Sequence, residues 1–213
     1  DYPFSSNYLT IGDTRIHYLD EGPADGKIIF LLHGEPAWSY LFRKMIPTLT
    51  AAGYRVIAPD MVGFGKSDKY ISIEDYSHQM HVDKMVQLVR ELNLKDVTAH
   101  LHDWGGLVGF RVIAEEPERF SGIIASNTSL IAPGRGFLRD LLSHISYPLF
   151  KLGIWIQGPA TWEEFIGGDG FTGWIRYSRY TDNIDVGGIM QTLGNVSDEE
   201  RAGYEAPYPN ATY

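Results

Sequence analysis

Residues 102–106 read His-Asp-Trp-Gly-Gly, and the short apolar run DVTAHL stands directly before them. A carboxylate at the end of a buried strand, followed at once by two glycines that open a helix, is placed for nucleophilic attack. The helix N-terminus favours negative charge and offers free backbone N–H groups, so Asp103 stays ionised without a metal. Gly105 and Gly106 let the helix start close to the strand. The plainer reading is a strand-end aspartate that only caps the helix. A second stretch, LLHGEPAW, ends another apolar strand at His33-Gly34. The amide of Glu35 that follows it and the amide of Trp104 are expected to point at one spot and to form an oxyanion hole.

Other motifs weaken on inspection. GFGKS at 63–67 resembles the end of a phosphate loop, but the first glycine of that pattern would fall at position 60, where Asp60 stands. His78 and His81 lie three apart on an expected helix, yet no third ligand follows at a recognisable spacing, so no metal is expected. The reading calls for no cofactor either.

The elements that position these residues follow from periodicity. YLTIG and RIHYLDEG read as a hairpin; KIIFLLHG, YRVIAPDMVG, DVTAHLHD and SGIIASNTSL read as buried strands. Between them, SIEDYSHQMHVDKMVQLVRELNL predicts a helix with Ser72 as its cap candidate, and a second helix is expected from Gly105 to about Glu116. Buried strands separated by helices imply an α/β fold with a mostly parallel sheet covered on both faces. From about Ile131 the strands stop, and short helical pieces punctuated by Gly and Pro carry Trp155, Trp162 and Trp174. The expected division is therefore a core over 1–130 and a helical cap over 131–213.

Composition narrows the function. A chain of 213 residues that is 44% hydrophobic can bury a sizeable core. A net charge of −9 without a basic run argues against a nucleic-acid partner. The absence of cysteine removes disulfides and thiolate catalysis. The longest aliphatic and aromatic run, IIFLL, is far shorter than the roughly 18 residues that a membrane span requires. The chain has no visible export signal, which makes the cytoplasm the default expectation, and a monomer is expected.

A strand, a sharp turn bearing one nucleophilic side chain and a helix make up the nucleophile elbow of the α/β-hydrolases, here with Asp where serine enzymes have Ser. HGEPAWSYLFRKMIP, PDMVGFGKSDK, HDWGG and DGFTGW, in that order, resemble the haloalkane dehalogenases of that superfamily over nearly the whole chain. The resemblance implies that Asp103 attacks a halogen-bearing carbon of a small haloalkane, that halide leaves, and that water cleaves the resulting ester. It implies that the indole N–H groups of Trp104 and Trp174 hold the halide. It also implies that Leu107 and Phe171 line the substrate pocket, with Asn127 either at the halide or capping its strand. The ester-hydrolysing histidine and its acid are expected after later strands, and none of His17, His33, His78, His81, His100, His102 and His144 occupies such a place. The residues are accordingly expected to belong to a longer enzyme, lacking roughly the last quarter to third of a usual domain, including its C-terminal strands. An epoxide hydrolase, using Tyr177 or Tyr180 as proton donor, is the alternative; an inactive fragment or binding protein of the same fold is the third reading.

Overall fold

The computed structural model describes residues 2–130, 148–181 and 183–210. Residues 131–147, where the first helical piece of the cap is expected, lie outside them. Six strands form one sheet: β1 (Asn7–Ile11), β2 (Thr14–Glu21), β3 (Ile28–Leu32), β4 (Arg55–Pro59), β5 (Val97–His102) and β6 (Phe120–Ser126). Their spatial order is β1-β2-β4-β3-β5-β6. The β1–β2 hairpin is antiparallel and joins β4 antiparallel through β2, whereas β4, β3, β5 and β6 run parallel.

The uninterrupted apolar run of β3 has a simple cause. Alternate residues face opposite sides of a strand, and β3 is covered on both. Phe30 and Leu32 join a core with Ile57, Val97, Ala99 and Leu101, and this core also takes in Val82, Met85, Leu88 and Val89 of helix α2 (His78–Glu91) and Val108 and Val112 of helix α3 (Trp104–Glu115). Ile29 and Leu31 face the other way and pack with Val56, Ala58, Phe42 and Ile46, the last from helix α1 (Ile46–Ala51).

The helix expected to begin near Ser72 begins six residues later. Ser72 caps only a short 3-10 turn, Ile73–Asp75, and Ser77 caps α2 by accepting the Met80 N–H at 3.0 Å. Between the two, Tyr76 is extended, and its hydroxyl accepts the Tyr70 N–H at 2.6 Å. The extended backbone at Tyr76 breaks the helical pattern there.

The chain divides into two compact units. The first joins the described residues of 1–130 to those of 185–210, so helices α7 (Val186–Leu193) and α8 (Asp198–Glu205) belong to the same unit as the sheet, whereas the sequence places them in a cap over 131–213. Tyr204 meets the Tyr40 ring edge-on at 5.0 Å, and the Arg43 guanidinium lies 4.1 Å from the Tyr40 ring while pairing with Glu200 at 2.5 Å. Gly203 is required here, because a Cβ at that position would strike the Tyr40 ring. Lys44, the Ser197 N–H and Arg43 together hold the Glu200 carboxyl down to about 2.

The second unit is helical among its described residues: α4 (148–157), α5 (Trp162–Glu164) and α6 (Gly170–Tyr180). Thr161 and Glu164 form a reciprocal capping box at the start of α5. Arg176 donates to the carbonyls of Gln157, Gly158 and Pro159, tying α6 to the end of α4.

Candidate active site

The strand order places the site. The chain passes from β3 to β4 on one side and then returns to β5 on the other side of β3, so the carboxyl ends of β3 and β5 flank a switch point of the sheet. Open α/β sheets bind ligands in the crevice at such points. Glu35 follows β3 and Asp103 follows β5, and the Glu35 N–H donates to Asp103 Oδ1 at 3.0 Å. The first of the two expected oxyanion donors is thus in contact with the carboxylate.

Asp103 has φ 53° and ψ −127°, a conformation that L-residues rarely adopt. Strain of this kind costs on the order of 1–3 kcal/mol and persists only where surrounding structure enforces it. Three close approaches enforce it here. A Cβ at Gly34 would fall on the Asp103 carboxylate, one at Gly105 on the carbonyl oxygens of Leu32 and His33, and one at Gly106 on the Thr128 hydroxyl. Thr128 in turn donates to the Asp103 carbonyl at 2.7 Å, and that carbonyl also accepts the Gly106 N–H at 2.8 Å. No pattern in the sequence ties Thr128 to position 103, and sequence reading missed it. The capping explanation of Asp103 fails on geometry: its side chain makes no capping hydrogen bond to α3.

Gly34→Ala should therefore displace the nucleophile as well as overpack the turn. The expected result is a loss of about 1–3 kcal/mol in urea unfolding together with loss of any chemistry at Asp103. Wild-type stability in this variant would show that the approach is not required.

His33 is fixed in one form. Its Nε2 accepts the Met61 N–H at 3.0 Å, which leaves the proton on Nδ1 to be donated to the Gly34 carbonyl at 3.0 Å. Burial holds its pKa below the usual value, with Asp60 opposing. Both ring nitrogens are committed to shaping the turn that presents Glu35.

Beneath this turn lies a buried polar group that sequence reading assigned no role. Asp60 Oδ2 stands 2.8 Å from His17 Nδ1 and accepts the Lys66 N–H at 2.8 Å, while Oδ1 accepts the Ser39 N–H at 2.8 Å. Burial pushes the Asp60 carboxyl up, but the His17 hydrogen bond, the nearby imidazoles and the Lys66 amide outweigh it and hold it below the ordinary value. GFGKS thus forms a loop that donates an amide to Asp60 and closes on it at Gly65, where a Cβ would strike the carboxylate.

The other expected residues distribute as follows. Trp104 opens α3, and Leu107, one turn on, is half-buried. The Leu107 carbonyl accepts from His78 Nε2 at 3.2 Å. Asn127, just past β6, is exposed with φ 46°. Trp174 and Phe171 are on α6 of the second unit; the Trp174 ring packs against Phe165 at 5.5 Å, and Phe171 is exposed. Tyr177 is stacked on Phe165 at 5.7 Å and is buried, and Tyr180 ends the same helix. Among the described residues no His, Cys, Asp and Glu cluster fit for a metal ion occurs, and no helix is long and apolar enough to cross a membrane.

The chain is similar to known proteins over its whole length. A haloalkane dehalogenase of Mycolicibacterium paratuberculosis is 44% identical over all of this chain and 63% of its own length, and one from Psychrobacter cryohalolentis is 40% identical with the same coverage. The solved haloalkane dehalogenase DpaA from Paraglaciecola agarilytica NO2, described as tetrameric, superposes with a TM-score of 0.78 at 32% identity, covering all of this chain and 63% of that one. The chain thus spans less than two thirds of the relatives it matches. The family model for the alpha/beta hydrolase fold matches residues 27–173, and that match, together with the strand order and the elbow at Asp103, places this chain in the alpha/beta-hydrolase family.

Proposed function

We propose that this chain carries the alkylating chemistry of a haloalkane dehalogenase. The observation that supports it most is the Asp103 carboxylate: unused as a helix cap, held on strained backbone at the switch point, and contacted by the Glu35 amide. An Asp103 oxygen attacks the halogen-bearing carbon in line with the carbon–halogen bond. The bond electrons leave with the halide, and an alkyl ester of Asp103 remains. Water then adds to the ester carbonyl, whose developing oxyanion is held by the Glu35 and Trp104 amides, and alcohol departs. The water needs a base. No imidazole hydrogen-bonds the Asp103 carboxylate among the described residues, and His33 is committed elsewhere, so these residues support halide release and ester formation rather than repeated turnover.

In this reading the helical segment after β6 belongs to the cap, and Leu107, Phe171 and Asn127 are the pocket residues that the resemblance implies. Trp104 and Trp174 receive the halide, since an indole N–H is a donor that stabilises an anion without burying a cation. Incubation with 1,2-dibromoethane should release one bromide per molecule and leave a stable adduct on the peptide containing Asp103. Absence of both bromide and adduct, or diol formation from an epoxide instead, would overturn the reading. Trp104→Phe and Trp174→Phe should each slow halide release by about two orders of magnitude and weaken the quenching of tryptophan fluorescence by bromide. An unchanged rate in either variant removes that residue from the halide site. The protein is further proposed to act in the cytoplasm as a monomer, which light scattering would test.

A further inference from the structure

The turn that carries the Glu35 amide is held at both ends by two consecutive residues. At its start, His33 Nε2 accepts the Met61 N–H at 3.0 Å; at its end, the Ser39 N–H donates to Asp60 Oδ1 at 2.8 Å. Asp60, the first residue past β4, is itself fixed to the sheet. Its N–H donates to the His17 carbonyl at 2.9 Å, its carbonyl accepts the Ser67 hydroxyl at 2.7 Å, and its other carboxylate oxygen lies 2.8 Å from His17 Nδ1. His33, Ser39 and Asp60 are completely buried, so water does not compete for these bonds.

Peptide planarity carries the constraint to the nucleophile. The Gly34 carbonyl and the Glu35 N–H belong to one peptide unit, in which a trans bond points the two groups in opposite directions. His33 Nδ1 donates to that carbonyl at 3.0 Å, and on the opposite edge the Glu35 N–H donates to Asp103 Oδ1 at 3.0 Å. A shift of the His33 ring therefore turns the amide that meets the carboxylate.

We propose that Asp60 is a positioning residue for the reaction at Asp103: with the Met61 amide beside it, its carboxylate clamps the 33–39 turn and so aims the Glu35 N–H at the nucleophile. The effect on rate rests on the haloalkane reading, whereas the effect on the amide does not. An ionised acceptor suits the task, because hydrogen bonds to a charged group are roughly twice as strong as neutral ones and this one residue serves the Ser39 and Lys66 amides together. A role in stability alone would leave the Glu35 amide of a folded variant where it is in the parent; aiming predicts that it moves.

The test is Asp60→Asn, read in folded protein by the Glu35 amide resonance and by single-turnover bromide release from 1,2-dibromoethane. The one oxygen of asparagine cannot serve both amides, so the turn loosens and the Glu35 proton should move upfield as its bond to Asp103 lengthens. The maximal rate should fall by about ten- to a hundredfold, the size of loss that a displacement of about 1 Å produces, while the half-saturating substrate concentration stays as in the parent. Ser39→Pro checks the same link if Asp60→Asn fails to fold. It deletes the donor at the first residue of the 3-10 turn Ser39–Phe42 and leaves the carboxylate with His17, and Trp38 before it is already extended, as proline requires. Ser39→Ala keeps the amide and should leave the Glu35 resonance in place; a shift there as large as in Ser39→Pro assigns the effect to the side chain and overturns the proposal. So does a Glu35 resonance that stays put in folded Asp60→Asn or Ser39→Pro protein, or an unchanged maximal rate. Parent protein that releases no bromide overturns the haloalkane reading instead, and the resonance then decides the role of Asp60 by itself.

Discussion

Replacing Asp103 by asparagine is expected to abolish halide release, by about 10⁴-fold or more, and to leave the fold standing. Asparagine has the same shape and is among the few residues that tolerate positive φ, so the strained turn at φ 53° survives. Its amide oxygen still accepts the Glu35 N–H, and Thr128 and the Gly106 amide still hold the backbone carbonyl. What disappears is the negative oxygen that displaces halide in the proposed reaction. Loss of a covalent nucleophile costs several orders of magnitude in comparable enzymes. The measurement is bromide release per molecule with a thermal melt on the same sample. A rate within tenfold of the parent, in a folded variant, would move the nucleophile elsewhere.

The largest effect on stability is expected at Asp60→Ala. The carboxylate is completely buried and receives the Ser39 and Lys66 amides beside His17, so its removal leaves those groups buried without an acceptor. Breaking a buried pair of this type costs about 3–5 kcal/mol. The pH dependence follows from the sign of the shift. Because the folded Asp60 carboxyl sits below its ordinary value, its contribution is fully present above about pH 4, the unfolded carboxylate range, and is lost as pH falls through the folded value. Urea unfolding between pH 7 and pH 3 should therefore show the difference between parent and Asp60→Ala shrinking toward the acid end. A constant difference over that range would mean that Asp60 acts through packing and not through its charge.

These two residues also show where sequence reading succeeds and where it stops. Asp103 is legible because its neighbours are: an apolar strand before it and two glycines after it restrict what the position can do. The strands are legible for the same local reason, since a run such as IIFLL fits a strand covered on both faces. Asp60 is not legible, because its partner His17 lies 43 positions away and the pairing exists only once β2 and β4 are side by side. GFGKS resembles the end of a phosphate loop and forms part of the motif PDMVGFGKSDK, but neither pattern shows that its Lys66 amide serves Asp60. The true start of α2 at His78 was hidden by the extended backbone at Tyr76, and the docking of 185–210 on Tyr40 and Arg43 rests on Glu200, Gly203 and Tyr204, residues whose spacing resembles any surface helix.

The parallel pairing of β3 with β5 joins Ile29 to Thr98, and the nucleophile and its amide donor stand on opposite sides of that seam. Helix α3 can form locally, but the donor reaches the carboxylate only after a loop of about seventy residues has closed, the kind of step that slows folding most. In the proposed reading, reactivity toward an alkyl halide thus depends on a contact between distant stretches of the chain, and a partly assembled chain that lacks it is chemically silent even when its helices are complete.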